Sequence, residues 1–88
     1  MREIIWQSAF KKDFKKVSKS GKNLEKLTHI LNTLVLGENL PTKNRNHKLK
    51  GEYSDCWECH IEPDWLLIYQ LNPKELILIR MGSHSDLF

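Results

Sequence analysis

Three histidines and two carboxylates stand where they could transfer protons. His60 follows Glu58 by two residues in the stretch ECHIEPD, and Asp64 ends that stretch. An imidazole titrates near neutral pH, and a neighbouring carboxylate can orient it. His47 lies upstream in a polar segment, and His84 lies downstream in GSHSDLF. The residue types fit general acid-base chemistry, although polar residues on an ordinary half-exposed strand would give the same pattern.

The pentapeptide CWECH at 56–60 offers a competing interpretation. It matches the attachment signature of a c-type haem, and its two cysteines match half of a zinc site. Side chains three positions apart on a strand point to opposite faces, so Cys56 and Cys59 are predicted to point apart. No second CxxC or HxxxH supplies further zinc ligands. We predict a buried free thiol at Cys59, and the cofactor interpretation requires that the strand assignment be wrong.

Apolar periodicity predicts the elements that position these groups. They are a strand at 2–6, a helix that follows Ser8 as its N-cap, a helix at 24–35 capped by Asn23, and strands at 53–61, 65–71 and 75–81. The order β-α-α-β-β-β indicates an α+β fold, with a helical hairpin packed on one face of a small, mainly antiparallel sheet. Residues 38–52 are predicted to form an exposed loop.

The opposite face of this sheet is predicted to be free for a ligand. Strand alternation places Glu58 and His60 side by side on that face. Arg80 is predicted to face the same side, with Ile77, Ile79 and Met81 pointing away from it. The loop that carries His47 and the segment that carries His84 can both fold over this surface, which would bring three imidazoles and a guanidinium together.

Composition narrows the class of protein. With 88 residues, 40% of them apolar and 28% charged, the chain is predicted to form a single domain spanning 1–88. No apolar run has the length of a membrane-spanning helix and no secretory signal is recognisable, so we expect a cytoplasmic protein with reduced thiols. Residues 1–50 carry 12 Lys or Arg against 4 Asp or Glu, whereas residues 51–88 carry 2 against 7. The basic half suits a polyanion such as RNA, although a solvated lysine-rich helix has the same composition.

Three motifs identify a family. HKLKG at 47–51, ECHIEPDWLLIY at 58–69 and RMGSHSDLF at 80–88 resemble the YafQ branch of the RelE-like bacterial toxins, and the likeness extends to the early helix SAFKKDFKK. The resemblance implies a RelE-like α+β domain and a ribosome-dependent, metal-independent messenger RNA endonuclease without a cofactor. It also implies a small antitoxin that wraps around the toxin and blocks its site, with DNA contacted only through the antitoxin complex.

The resemblance assigns site residues position by position. His47 opens the H-x-L-x-G loop, Glu58 occupies an acidic position, and His60 and Asp64 belong to the H-x-E-P-D motif. The remaining assignments are His84 in the G-[ST]-H motif, Phe88 as the aromatic residue that ends the motif, and Arg80 as the arginine that precedes it. Phe88 could stack on an RNA base or pack against the protein, and the two interpretations are equally compatible with the sequence.

RNA cleavage through the 2′-OH fits these residue types. The reaction needs a base, an acid for the leaving 5′-oxygen, and a cation near the phosphorane, but no metal. We assign His84 as the acid and His60 as the base, with Glu58 or Asp64 as its orienting partner; acid and base could be exchanged. His47 and Arg80 are assigned as phosphate contacts. Further contacts with messenger or ribosomal RNA are expected from Arg45, Lys48, Lys50, Lys43 and the lysines of the first helix.

A second hypothesis belongs to a different class of function. A chain with this fold could be a non-catalytic module that binds an antitoxin and takes part in promoter repression. The presence together of His47, His60, Asp64 and His84 argues against decay of the site. A measured cleavage rate would discriminate between the two hypotheses.

Overall fold

One five-stranded sheet organises the fold. The strands are β1 Glu3–Trp6, β2 His47–Lys48, β3 Trp57–Glu62, β4 Trp65–Leu71 and β5 Glu75–Gly82. In the computed structural model, which describes residues 1–88, they lie in the order β1-β5-β4-β3-β2. β1 runs parallel to β5, and the other neighbouring pairs are antiparallel. The predicted α+β class and the mainly antiparallel sheet are confirmed.

Three helices accompany the sheet: α1 Ser8–Ser18, α2 Leu24–Val35 and the short α3 His84–Leu87. The predicted cap of α2 is confirmed, because the Asn23 side chain accepts a hydrogen bond from the Glu25 N–H. The predicted cap of α1 is wrong: Gln7 precedes the helix without a side-chain cap, and Ser8 is its first helical residue. None of the helices combines the length and the apolar composition needed to cross a membrane.

The main core lies between α1, α2 and one face of the sheet. Apolar stripes on both helices supply Phe10, Val17, Leu27, Ile30, Leu31 and Leu34. The sheet supplies Cys59, Ile61, Trp65, Leu67, Tyr69, Leu76, Leu78 and Met81. Burying one such leucine contributes about 2 kcal/mol to folding. This packing fixes the register of β3, β4 and β5, and therefore fixes which side chains point to the opposite face.

The opposite face is not free as predicted. Four buried residues, Cys56, Leu66, Ile68 and Leu87, form a second apolar cluster there, with Leu49, Tyr53 and Ile79 packed against it. The interior strand β4 is apolar at consecutive positions, so it buries side chains on both faces. A ligand on this face therefore meets a polar surface beside an apolar patch.

The segment predicted as an exposed loop is partly ordered against the sheet. Residues 42–44 and 51–53 form 3₁₀ turns, and β2 pairs with β3 between them. The predicted strand at 53–61 begins only at Trp57, because Asp55 adopts a positive φ of 71° that interrupts an extended chain. β2 was not predicted, because two residues are too few to show the alternation of apolar and polar side chains that indicates a strand.

Candidate active site

A buried carboxylate lies between two imidazoles. Glu58 is only 4% exposed, and its Oε1 lies 3.4 Å from Nε2 of His47 and 3.5 Å from Nε2 of His60. The β2–β3 pairing places His47 opposite Glu58, and strand alternation places His60 on the same face. A buried carboxylate needs a cationic or hydrogen-bonding partner, so Glu58 and the two rings form one electrostatic unit.

Both ring nitrogens of His47 face oxygen acceptors. Nδ1 lies 2.8 Å from the carbonyl oxygen of Arg45, and Nε2 faces the Glu58 carboxylate. The His47 ring is therefore held between the backbone of its own loop and the Glu58 carboxylate at the edge of the sheet.

His84 is oriented by Asp64. Oδ1 of Asp64 accepts hydrogen bonds from the backbone N–H of His84 at 2.9 Å and from its Nδ1 at 2.7 Å. With Nδ1 engaged, Nε2 of His84 has no partner, and the side chain is 55% exposed. The His84 ring lies 5.6 Å from the His60 ring, centroid to centroid. Asp64 thus pairs with His84 rather than with His60, and one imidazole nitrogen is available to a substrate.

A capped turn holds His84 in place. The Ser83 hydroxyl accepts from the Asp86 N–H, and the Asp86 carboxylate accepts from the Ser83 N–H, which is a capping box at the start of α3. A Cβ at Gly82 would lie 3.0 Å from the Cβ of Asp86. In the GSH motif, the glycine allows Asp86 to approach closely and the serine caps α3. Together they fix the backbone of His84.

Arg80 is held by a carboxylate from α1. Its Nε and Nη2 donate to Oδ2 and Oδ1 of Asp13 at 2.6 and 3.2 Å, and the Met81 N–H also donates to Oδ2 at 3.0 Å. The hydrogen bonds that Arg80 donates to Asp13 raise the pKa of Arg80, and nearby Tyr53 contributes. Asp13 thus fixes both the guanidinium and the adjoining β5 backbone.

The predicted facing of β5 is only partly correct. Met81 points into the main core as expected, but Ile79 packs with the second cluster on the face of Glu58 and His60. The register between β4 and β5 shifts after the Ile68–Arg80 pair, which marks a bulge. An extra residue in a strand re-aims the neighbouring side chains.

Two aromatic side chains meet beside Arg80. The rings of Tyr53 and Phe88 lie 5.9 Å apart at an angle of 82°, an edge-to-face contact. Phe88 nevertheless remains 64% exposed. Packing against the protein and stacking on an RNA base are thus compatible, because one ring edge contacts Tyr53 while most of the side chain is open to solvent.

The basic residues assigned to RNA contact lie at the protein surface. Arg45, Lys48 and Lys50 are exposed, and none of them forms an ion pair. Four more lysines of the early basic segment are also exposed and unpaired: Lys11, Lys12, Lys15 and Lys19. Lys16 pairs with Asp86 at 3.5 Å. The positive charge of the N-terminal half is therefore available at the protein surface.

This chain is similar to known proteins over nearly its whole length. Residues 2–88 match the family model described as the bacterial toxin of the type II toxin-antitoxin system, YafQ. This chain belongs to the YafQ toxin family. The mRNA interferase toxin YafQ of Escherichia coli K12 is 36% identical over 99% of this chain and 96% of the relative's length.

Solved structures of bacterial toxins have the same fold. A crystal structure of a copper-bound mutant toxin from Helicobacter pylori superposes with a TM-score of 0.95, at 40% identity and full coverage of both chains. In the DinJ–YafQ complex of E. coli, the matching chain has a TM-score of 0.92 at 35% identity, covering 100% of this chain and 99% of that one. The predicted RelE-like fold and the membership of the YafQ branch are confirmed.

The two cysteines of this YafQ-family chain lie in different clusters. Cys59 is fully buried in the main core, and Cys56 is buried in the second cluster across the sheet. Burial, with a contribution from Glu58, raises the pKa of the Cys59 thiol to about 12. The prediction that the cysteines point apart is confirmed, and CWECH does not assemble one haem or zinc site. No group of three or more potential ligands is arranged for a metal ion; independence from metal stays a prediction.

Sequence reasoning missed three residues of this site. Asp13 appears as a single acid in a lysine-rich helix, Asn44 as one of several polar loop residues, and Tyr53 as the start of a strand. The partners of Asp13 lie 67 and 68 residues away along the chain. Hydrophobic periodicity does not reveal a contact between residues so far apart in the chain. The only local signal is an acidic residue, Asp13, between Lys12 and Phe14 in a helix that is otherwise rich in lysine.

The Asp64–His84 bond makes stability depend on pH. The backbone hydrogen bond from His84, followed by its side-chain hydrogen bond, lowers the pKa of Asp64 below its ordinary value of 3.8. A carboxyl whose pKa is lowered by folding stabilises the protein above its ordinary pKa, and this contribution is lost as the pH falls through the folded-state pKa. We expect Asp64→Asn to lower the unfolding temperature at pH 5, with the difference from wild type vanishing in strong acid. Thermal unfolding of both proteins across this range checks it, and a difference independent of pH would contradict it.

Proposed function

We propose that this YafQ-family chain is an mRNA interferase, an endoribonuclease that cuts messenger RNA bound to the ribosome and so inhibits translation. The E. coli relative is an mRNA interferase toxin, which supports the substrate class. The observation that carries the proposal for this chain is the pair of units His47–Glu58–His60 and Asp64–His84, joined by the contact between the His60 and His84 rings. They bring several proton-transfer groups together, with the side chains of His47 and His84 exposed and those of Glu58 and His60 largely buried beside them.

The proposed reaction uses the nucleophile of RNA itself. A base removes the proton of the 2′-OH, the 2′-oxygen attacks the adjacent phosphorus, and the bond to the 5′-oxygen breaks as an acid protonates that oxygen. The products are a 2′,3′-cyclic phosphate and a 5′-hydroxyl end. Cations near the phosphorane stabilise its additional charge. No metal enters this scheme.

The site geometry supports a set of proposed roles. His84 is the proposed acid, because its Nε2 is free while Asp64 orients the ring through Nδ1. His60 is the proposed base, oriented by Glu58, and its ring contacts the His84 ring edge to face at a centroid distance of 5.6 Å, so both rings could reach one phosphate group. His47 and Arg80 are the proposed phosphate contacts. The proposed stacking platform is Phe88 supported by Tyr53.

The proposed partners follow from charge and from the relatives. Arg45, Lys48 and Lys50 are exposed in the segment around His47 and would contact the phosphates of the message or of ribosomal RNA. DinJ is seated on YafQ in the solved complex from E. coli, which supports a cognate antitoxin for this chain. We infer a cytoplasmic single-domain toxin spanning 1–88 that contacts DNA only through its antitoxin complex.

One substrate change tests the proposed chemistry. Purified toxin is added to a reconstituted translation reaction, and cleavage of a stalled message is mapped by primer extension. A second message carries a single 2′-deoxynucleotide on the 5′ side of the mapped cut. We expect the all-RNA message to be cut and the substituted message to resist, because removing the 2′-OH removes the nucleophile.

Three outcomes would contradict the proposal. Intact message with the wild-type protein would favour the non-catalytic antitoxin-binding module. Cleavage of the 2′-deoxy message at the same bond would exclude attack by the 2′-OH. Loss of cleavage after removal of transition metals from toxin and buffer, with the Mg²⁺ of the ribosomes retained, would overturn metal independence.

A further inference from the structure

The loop that carries His47 has little backbone support. Only two residues of β2 pair with β3, and the loop reaches them through Arg45, whose φ of 46° is in the left-handed region. A non-glycine residue in this region is strained and persists only where its surroundings hold it. The position of His47 must therefore depend on side-chain contacts made by the loop.

Asn44 is the first such contact. It is 6% exposed, and its Nδ2 donates a 2.7 Å hydrogen bond to the carbonyl oxygen of His60. This hydrogen bond therefore links the loop that carries His47 to the backbone of His60. Because a buried amide left without a partner is costly, this bond resists displacement.

Tyr69 is the second contact, and it comes from the main core. Its ring is fully buried on β4, and its hydroxyl donates a hydrogen bond to Oδ1 of Asn46. Burial raises the pKa of Tyr69, so the hydroxyl stays protonated and remains a donor. Asn46 directly precedes His47, and the core therefore fixes the chain one residue away from the imidazole.

We propose that Asn44 and the Tyr69–Asn46 pair are positioning elements that hold the imidazole of His47 against Glu58. They act from opposite directions, one through the strand of His60 and the other through the core. Without them the Arg45 carbonyl and the Glu58 carboxylate would no longer meet both nitrogens of the His47 ring. The catalytic consequence rests on the proposed function, whereas the effect on the ring can be measured independently.

The test removes the side chain of Asn46, the exposed residue that accepts the hydrogen bond from Tyr69. Asn46→Ala removes the partner of Tyr69 without changing a core side chain, so folding is expected to persist. We expect single-turnover message cleavage to slow about tenfold, because a small displacement of a positioned group is costly in rate. Asn39→Ala is the matched control: Asn39 is an exposed asparagine in the same loop without a side-chain hydrogen bond, and we expect no change.

A double-mutant cycle separates positioning from a general effect. In a His47→Gln background, adding Asn46→Ala should cause no further loss, since the proposed action passes through His47. Losses that multiply would overturn the proposal, as would an unchanged rate for Asn46→Ala alone. Tyr69→Phe, which removes only the hydroxyl, should reproduce the Asn46→Ala result if it folds.

Nuclear magnetic resonance supplies a readout that does not need activity. The imidazole ¹⁵N shifts of His47 should move in Asn46→Ala while those of His84 stay unchanged. Unchanged His47 shifts would overturn the inference even if cleavage slows. Failure of the wild-type protein to cleave message would instead overturn the proposed function, and the shifts would still decide the role of the loop contacts.

Discussion

The His84→Ala variant is expected to cleave ribosome-bound message about a thousandfold more slowly than wild type, the middle of the range for a lost general acid or base. His84 presents a free Nε2, and its ring direction is set by Asp64. The backbone N–H of residue 84 keeps its hydrogen bond to Asp64 in this variant, so the unfolding temperature should fall less than in Asp64→Asn. Single-turnover cleavage at saturating toxin measures the loss in the chemical step.

Two companion variants make this result specific. His29→Ala removes an exposed histidine on α2, outside the proposed site, and should leave the rate unchanged. Asp64→Asn keeps the imidazole but weakens its orientation, so an intermediate loss is expected. A His84→Ala rate within about twofold of wild type would show that His84 is not the proton donor assigned here, since acid-base groups contribute far more than that.

The Arg80→Lys variant is expected to lose about a hundredfold in cleavage rate, as when one oriented donor to a transition-state oxygen is removed. Lysine keeps the charge but lacks the planar fork that engages both oxygens of Asp13. Asp13→Asn should also slow cleavage, because a neutral amide holds the guanidinium less firmly. Cleavage kinetics with each variant, compared at equal folded fraction by circular dichroism, give the two losses.

Arg2→Lys is the matched control for the arginine substitution. The Arg2 guanidinium donates to the carbonyl oxygens of Asn72 and Leu34, contacts that hold β1 and α2 and are not part of the proposed site. This variant should lower the unfolding temperature while the rate per folded molecule stays unchanged. Equal rates for Arg80→Lys and Arg2→Lys would remove Arg80 from the proposed phosphate contacts.

Elements with strong periodicity were predictable from this sequence. The pattern of apolar residues predicts which faces are buried, because burial selects apolar side chains at the positions that face the core. This holds for the stripe from Leu24 to Val35 and for the apolar runs of β4 and β5. The face shared by Glu58 and His60 followed from alternation alone. Their roles in RNA cleavage remain predictions that the kinetics above will test.

Other features could not be read from local pattern. β4 is apolar on both faces, and this implied a second buried cluster that the prediction of a free face overlooked. The bulge that re-aims Ile79 and the bond from Asp13 to Arg80 depend on packing between segments far apart in the chain. The four residues of α3 are too few for helical periodicity, although the Ser83–Asp86 capping box was visible as spacing.

The parallel pairing of β1 with β5 has a consequence for biosynthesis. Glu3 pairs with Glu75, so the strand that leaves the ribosome first waits for about seventy further residues before its partner exists. Strands so far apart along the chain pair late in folding. The entropy cost of closing the long loop must be met before the paired strands gain any stabilising contacts. Arg80 and His84 are also made after that point. A chain synthesised only as far as Asn72 therefore lacks both the parallel partner of β1 and two residues of the proposed site.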